Sequence, residues 1–258
     1  LYVQATFYLD DYLSNGIQSK GMIKVLLFAS LREIVGQESL ELSYADLHTV
    51  HDVWSALQKK YPLACDFQKS LLFAVNQEFA SPETRVKEGD EVAIFPPVSG
   101  GETAAANTYQ RDPCGDVYQI VHHAIQIDAL AKQLGQPEDG AVVIFAGIVR
   151  NNTRGRKTLF LEYQGYEPMA LREMRAIGSA VKQRWAINKV GFVHRLGRLE
   201  IGEASVAIVT TSAHRHVAFE ACHYAIDTLK KTVPIWKKEF FEDGEVWVEG
   251  EVRELPSP

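Results

Sequence analysis

After Pro97 the sequence VSGGETAAANTYQRDPCGD, residues 98–116, loses every apolar period, and this break constrains the fold more than any other feature of the chain. Small and polar residues bury too little apolar surface to fold alone, so the segment reads as a linker between two separately cored modules. A chain of 258 residues with 46% hydrophobic side chains has enough material for both cores. The boundaries that follow are an extension at 1–21 of unknown role, a first module at 22–101, a linker at 102–116 and a second module at 117–258. The extension carries Asp10 and Asp11 and lacks the basic start and long apolar run of a secretory signal, and it precedes Met22, a candidate natural start.

The first module alternates in a way that predicts strand, strand, helix, strand, strand. IKVLLFAS from Ile23 reads as a buried strand and ESLELSYA at 38–45 as a half-buried one, with a hairpin around Gly36. Thr49 offers an N-cap with Asp52 three residues on, and Val50, Val53, Trp54 and Leu57 follow at helical spacing until Pro62. LLFAVN at 71–76 and VAIFPP at 92–97 supply the last two strands. A mixed sheet gripping one helix covers the single apolar stripe most economically.

The second module opens with Asp128 as the cap of a short helix, then the strand AVVIFAGIV at 141–149 and the basic loop RNNTRGRK at 150–157. A strand at 158–165, a helix starting near Pro168 and running to Trp185, strands near 189–195 and 205–211, and a helix from His214 to Pro234 follow. Strands at 235–241 and 245–252 close the chain, joined by Glu242, Asp243 and Gly244.

Charge and cysteine usage exclude several classes. Residues 22–101 hold 7 basic and 11 acidic side chains, whereas residues 117–258 hold 18 and 17, so an acidic module faces a slightly basic one. That asymmetry favours docking of one module on the other, and no broad basic surface suits nucleic acid. No apolar run reaches the ~18 residues of a membrane span. Cys65, Cys114 and Cys222 form neither a disulfide framework nor a zinc pattern, which makes a reducing cytoplasm the default.

Four segments carry candidate chemistry. Gly100-Gly101 alone reads as the start of a flexible linker, yet a tail without side chains can also thread a narrow channel and present a carboxyl group. Lys230, Lys231, Lys237 and Lys238 form a set that is ordinarily solvated; Lys237, however, sits beside Trp236 in a largely apolar strand. Apolar walls and neighbouring ammonium groups disfavour the charged amine and suit it to act as base or nucleophile. Ser212-Ala-His214-Arg215 opens a helix, where unpaired N–H groups favour an anion such as phosphate; a serine cap with exposed His214 and Arg215 is the equal alternative. Arg150 begins a basic loop that either clamps an anionic ligand or stays solvated. His122, His123, His214 and His216 lack convergent carboxylate or thiolate spacing, so no metal site is expected.

Taken together, these pieces resemble one family. The stretch from MIKVLLFASLREIVG to FPPVSGG resembles the small subunit of molybdopterin synthase, a ubiquitin-like sulfur carrier. GAVVIFAGIVRN, TSAHRHVAFEA, LKKTVPIWKKE and VWVEG resemble its large, catalytic subunit in order and spacing, across roughly residues 117–250. The resemblance implies an α+β chain, with an N-terminal β-grasp domain and a C-terminal α/β hammerhead domain. It further implies that a terminal-glycine thiocarboxylate, formed by an adenylating and sulfurating partner, transfers sulfur to cyclic pyranopterin monophosphate to make the molybdopterin dithiolene. By the same resemblance, Lys237 is the catalytic lysine, Lys230 its partner, Gly101 the sulfur-bearing residue after Gly100, and Arg150, His214 and Arg215 the substrate-binding set. No tightly bound cofactor is implied, and the large domain is expected to form a homodimer, heterotetramer-like after processing.

One departure is that Arg253 stands two residues later after the WVE segment than the family arginine, and it is left out of the site. The intact Gly101-Glu102 bond also leaves no carboxyl group to activate, so cleavage after Gly101 is expected, in a polar segment where nicking is easiest. The rival readings are an uncleaved carrier module that plugs the large module's groove without catalysis, and a carrier serving another thiolation pathway.

Overall fold

The computed structural model describes residues 21–67, 71–97, 108–111 and 114–248. The N-terminal module contains β1 (Met22–Leu27), α1 (Ala29–Val35), β2 (Ser39–Ser43), α2 (Val50–Lys60), β3 (Leu72–Val75), β4 (Glu78–Ala80) and β5 (Glu91–Phe95). Its sheet runs β2-β1-β5-β3-β4, with β1 and β5 parallel at the centre and antiparallel partners outside. Central strands must be apolar on both faces, which is why β5 is buried at four of its five positions. Helix α2 lays Val50, Val53, Trp54 and Leu57 on one face of this sheet, against Ile23, Val25, Val92 and Ile94. Its start is fixed by a reciprocal capping box, Asp52 N–H donating to Thr49 Oγ1 at 3.2 Å and Thr49 N–H to Asp52 Oδ2 at 2.9 Å. This is a β-grasp fold, as the resemblance implies.

Two local expectations for this module are corrected. Residues 29–35 form a helix instead of extending the strand into a hairpin, and Gly36 ends that helix in the left-handed conformation at φ 71°. Its N–H closes the helix on Arg32 O at 2.8 Å, a C-terminal geometry that glycine adopts without strain. The short strand β4 was also not expected; it pairs with β3 through a tight turn at Asn76 and Gln77.

The C-terminal module contains β6 (Thr108–Arg111), β7 (Val117–Val121), α3 (Ile127–Leu134), β8 (Ala141–Ile148), β9 (Asn152–Thr153), β10 (Arg156–Gly165), α4 (Glu167–Arg184), β11 (Lys189–Arg195), β12 (Gly197–Glu200), β13 (Ala204–Ser212), α5 (Arg215–Thr232), β14 (Ile235–Phe241) and β15 (Gly244–Val248). One sheet runs β6-β7-β11-β13-β8 and a second β12-β10-β14-β15, with β9 appended to β10. Strand β6 lies inside the stretch expected to be linker and pairs with the edge of β7, Thr108 opposite Ile120. Asp128 is in the first turn of α3, whose cap is Gln126.

Helices α4 and α5 cover one face of the first sheet, burying Met174, Ile177, Val181, Ala225, Ile226 and Leu229 against Tyr118, Phe192 and Ile208. The approach of α4 to β7 is so close that a Cβ at Gly178 would fall 2.1 Å from the Tyr118 hydroxyl. Helix α3 seals part of the other face with Leu130 and Leu134. Among the described residues, no helix is long and apolar enough to cross a membrane.

Candidate active site

Strand β14 organises the site, because its alternation presents two different surfaces. Trp236 and Lys238 face the N-terminal module, whereas Ile235, Lys237 and Glu239 face a cavity of about 600 Å³.

On the first surface Trp236 is 1% exposed. It stacks on Phe28 at 5.1 Å between ring centroids and meets Phe95 at 5.2 Å, while its indole N–H donates to Pro96 O at 3.0 Å. Tyr166 and Met169 complete an apolar cluster shared by the two modules. Polar contacts ring this centre: Ala29 N–H donates to Gln164 Oε1 at 3.1 Å, Tyr166 hydroxyl to Glu91, and Arg172 to Glu78 at 3.0 Å. The acidic first module thus docks on the second, in the sense expected from the charge asymmetry.

Lys238 is the buried charge of the interface. Its amine lies 2.8 Å from Glu33 of the first module and also contacts Glu245 on β15. Burial alone pulls the amine down, but hydrogen bonds and charge from Glu245 and Glu33 outweigh that and hold it above its ordinary range.

On the second surface, Arg150, Lys230 and Lys237 line one cavity together with Tyr163, His194, Ser205 and Glu239. Lys237 comes from β14, Lys230 from the last turn of α5 and Arg150 from the end of β8, so three elements distant in sequence converge on it. The Lys237 amine is 2.6 Å from Glu239 Oε1, and Glu239 is 2% exposed with Oε2 unpartnered. Beside the apolar walls expected around Lys237 the structure thus places a carboxylate.

Tyr163 faces Lys237 across β10 and β14, and its ring meets His194 at 5.4 Å. Burial raises the Tyr163 hydroxyl, partly opposed by a hydrogen bond to Ser205, so it stays protonated. Glu239, Tyr163 and His194 were not singled out from the sequence; the signal available was a carboxylate inside the apolar run IWKKEFF.

His214 and Arg215 line a different cavity of about 660 Å³, with Gly140, Ala213, His216, Phe219 and Glu220. Both are exposed at the start of α5, where Ser212 Oγ accepts from His214 N–H at 3.3 Å. Within one chain the structure therefore brings together Arg150, Lys230 and Lys237 but not His214 and Arg215. Gly100, Gly101 and Arg253 lie outside the described residues, as does any continuation of β15 past Val248. Among the described residues, no group of three or more His, Cys, Asp or Glu side chains is gathered as a metal site requires.

Comparison with known proteins matches two parts of the chain to two families. Residues 25–101 match the family model described as ThiS family, and residues 120–232 match the one described as MoaE protein. The molybdopterin synthase catalytic subunit of Bacillus subtilis (strain 168) is 43% identical over 131 residues, covering 51% of this chain and 83% of that protein. The Homo sapiens molybdopterin synthase catalytic subunit is 42% identical over 132 residues, covering 51% and 70%. The crystal structure of molybdopterin synthase from Staphylococcus aureus superposes with a TM-score of 0.50 at 40% identity, over 52% of this chain and 97% of that one.

Proposed function

The chain belongs to the molybdopterin synthase catalytic-subunit family, with a ThiS-family sulfur-carrier module on the same polypeptide, and from that premise we propose how its residues divide the work. It is a sulfur-transferring enzyme of molybdenum cofactor biosynthesis. Sulfur arrives as a thiocarboxylate on Gly101 and passes to cyclic pyranopterin monophosphate, building the dithiolene of molybdopterin.

The observation that carries this reading is the position of the carrier's exit. Pro96 is hydrogen-bonded to Trp236, and Trp236 is the sequence neighbour of Lys237 in the cavity. Gly101 is the fourth residue after Pro97, and an extended chain of that length reaches ~14 Å. A thiocarboxylate is already a good nucleophile, so the protein has to position it, exclude water and manage charge at the attacked carbons. Lys237, positioned by its ion pair with Glu239, and Lys230 stabilise the anions that enter and leave. Arg150 holds the phosphate.

The large domain works as a homodimer. Strand β8 is a sheet edge with Val142, Ile144 and Ile148 between 42% and 49% exposed, and Phe219 nearby in the fold is 62% exposed. An apolar edge of this kind calls for a partner. Antiparallel pairing of two copies of β8 would bring the Gly140 end of one against the Ile148–Arg150 end of the other. His214 and Arg215 of the second copy would then join Arg150 at the phosphate.

Activation of Gly101 needs a free carboxyl group, so the chain is cleaved after Gly101 before an adenylating and sulfurating enzyme acts on it. The compartment is a reducing cytoplasm, in keeping with the unpaired thiols of Cys114 and Cys222 among the described residues.

Two measurements test the proposal. Thiocarboxylated protein should convert cyclic pyranopterin monophosphate to a dithiolene, and Lys237→Ala should abolish conversion with an unchanged melting temperature; conversion by that variant at the wild-type rate would refute the assignment. Intact-mass analysis from the native host should find a carrier ending at Gly101. A single full-length species active in transfer would refute cleavage.

A further inference from the structure

His194, on β11, shares the cavity with Lys237 and is 4% exposed. Its Nδ1 lies 3.0 Å from Arg195 O. A carbonyl oxygen only accepts, so this contact makes Nδ1 the protonated nitrogen and leaves the lone pair on Nε2. Among the described residues Nε2 has no protein partner, although the ring lines the cavity. Nε2 is not sealed among packed atoms as Glu239 Oε2 is, so this uncommitted acceptor opens on the cavity, where the donor of a ligand can reach it.

Burial pushes the imidazole down to about 4, which keeps it neutral at physiological pH and makes it too weak a base for proton removal there. Apart from the unpartnered Oε2 of Glu239, which carries a carboxylate charge already paired with Lys237, the following polar groups of the cavity are spoken for or of opposite character. Arg150, Lys230 and Lys237 only donate, Ser205 Oγ donates to Gly147 O at 3.2 Å, and Glu239 Oε1 is taken by Lys237. Phosphate and thiocarboxylate groups have no N–H to offer Nε2, whereas a reduced pterin carries ring and exocyclic N–H groups.

We propose that His194 Nε2 accepts a hydrogen bond from an N–H of the bound pyranopterin, seating the heterocycle against the wall formed by Tyr163 and His194. The assignment rests on the functional reading above and adds a recognition residue for the ring system to the cationic groups that hold the anions. The neighbouring wall suits a flat ring, since Tyr163 meets His194 edge to face and stands opposite Lys237 in the β10–β14 pair. The heterocycle would therefore lie one residue pair away from the lysine that handles sulfur.

His194→Asn and His194→Gln separate the two ring nitrogens. Asparagine keeps an N–H near the position of Nδ1 and removes Nε2, whereas glutamine places an amide oxygen within reach of the Nε2 position. Binding to the full-length chain is measured by titration calorimetry with cyclic pyranopterin monophosphate and, separately, with inorganic phosphate. His194→Asn should weaken pyranopterin binding about tenfold, the worth of one hydrogen bond, and leave phosphate binding unchanged. His194→Gln should recover most of the loss. An asparagine variant that binds the pterin as wild type does, or that loses pterin and phosphate alike, would overturn the proposal. If that variant does not fold, nitrogen-15 histidine spectra of the wild-type chain decide: the Nε2 resonance must move on saturation with pyranopterin, and an unmoved resonance overturns it. A wild-type chain that neither binds nor converts the pterin would instead sink the functional reading, and this inference with it.

Discussion

Phe28→Ala tests whether the aromatic centre holds the carrier on the catalytic module. Phe28 is the residue preceding α1 and does not line the cavity of Lys230 and Lys237, so its removal perturbs docking without removing a group of that cavity. Two ring pairs cross the interface from it, to Trp236 at 5.1 Å and to Tyr166 at 5.3 Å. Such pairs are worth ~0.5–1.5 kcal/mol each beyond area burial, and partial loss of burial adds about 1 kcal/mol, so docking should weaken by about 2–4 kcal/mol. At 1.4 kcal/mol per decade the docked-to-undocked ratio falls roughly 30- to 700-fold. The natural probe is hydrogen exchange, because Ala29 N–H donates to Gln164 Oε1 across the interface and the Trp236 indole N–H to Pro96 O. Both should exchange faster by that factor, while amides inside the β1–β5 pair remain protected. Exchange of Ala29 and Trp236 within threefold of wild type would show that the aromatic contact is not what holds the modules together.

Glu239→Gln should slow dithiolene formation by at least tenfold, because it removes the carboxylate 2.6 Å from the Lys237 amine, and Lys237→Arg should keep more activity than Lys237→Ala; equal rates for those two variants would argue against a role as fixed cation. Arg150→Ala should raise the KM for cyclic pyranopterin monophosphate with little change in kcat, and an unchanged KM would remove Arg150 from the phosphate site. Acid should destabilise the C-terminal module through His194, whose folded value of about 4 lies below the unfolded 6.5: stability is fully present above 6.5 and falls as pH drops towards 4. The full loss is about 3 kcal/mol, read as the difference in urea stability between wild type and His194→Asn across that window, and parallel pH profiles would refute it.

The parts of the fold that sequence made legible are those with strong local signals. The Thr49–Asp52 box announces α2, and unbroken apolar runs announce β5, β8 and β13. Helix α1 was concealed because it spans only seven residues and continues an apolar strand; Leu31 and Val35 at helical spacing ahead of Gly36 were the available clue. Strand β6 carries no apolar alternation and forms only because the edge of β7 offers it a template. At the site, Lys230, Lys237 and Arg150 were reachable through motif resemblance. The pairing of Lys237 with Glu239 and the uncommitted nitrogen of His194 are products of tertiary convergence, and no local spacing encodes them. The separation of His214 and Arg215 from the lysines within one chain was equally hidden, because it depends on which ends of β8 the two cavities occupy.

Strand β14 makes tail delivery and chemistry inseparable in evolutionary terms. Since residues 236 and 238 meet the carrier and residues 235, 237 and 239 meet the cavity, inserting or deleting one residue between Val233 and Ile235 would invert the ribbon and exchange its two audiences at a stroke. Substitutions can drift on either side independently, but length cannot. Lineages of this enzyme should therefore tolerate changes of sequence along the ribbon far more readily than any change in the spacing from Pro234 to Trp236.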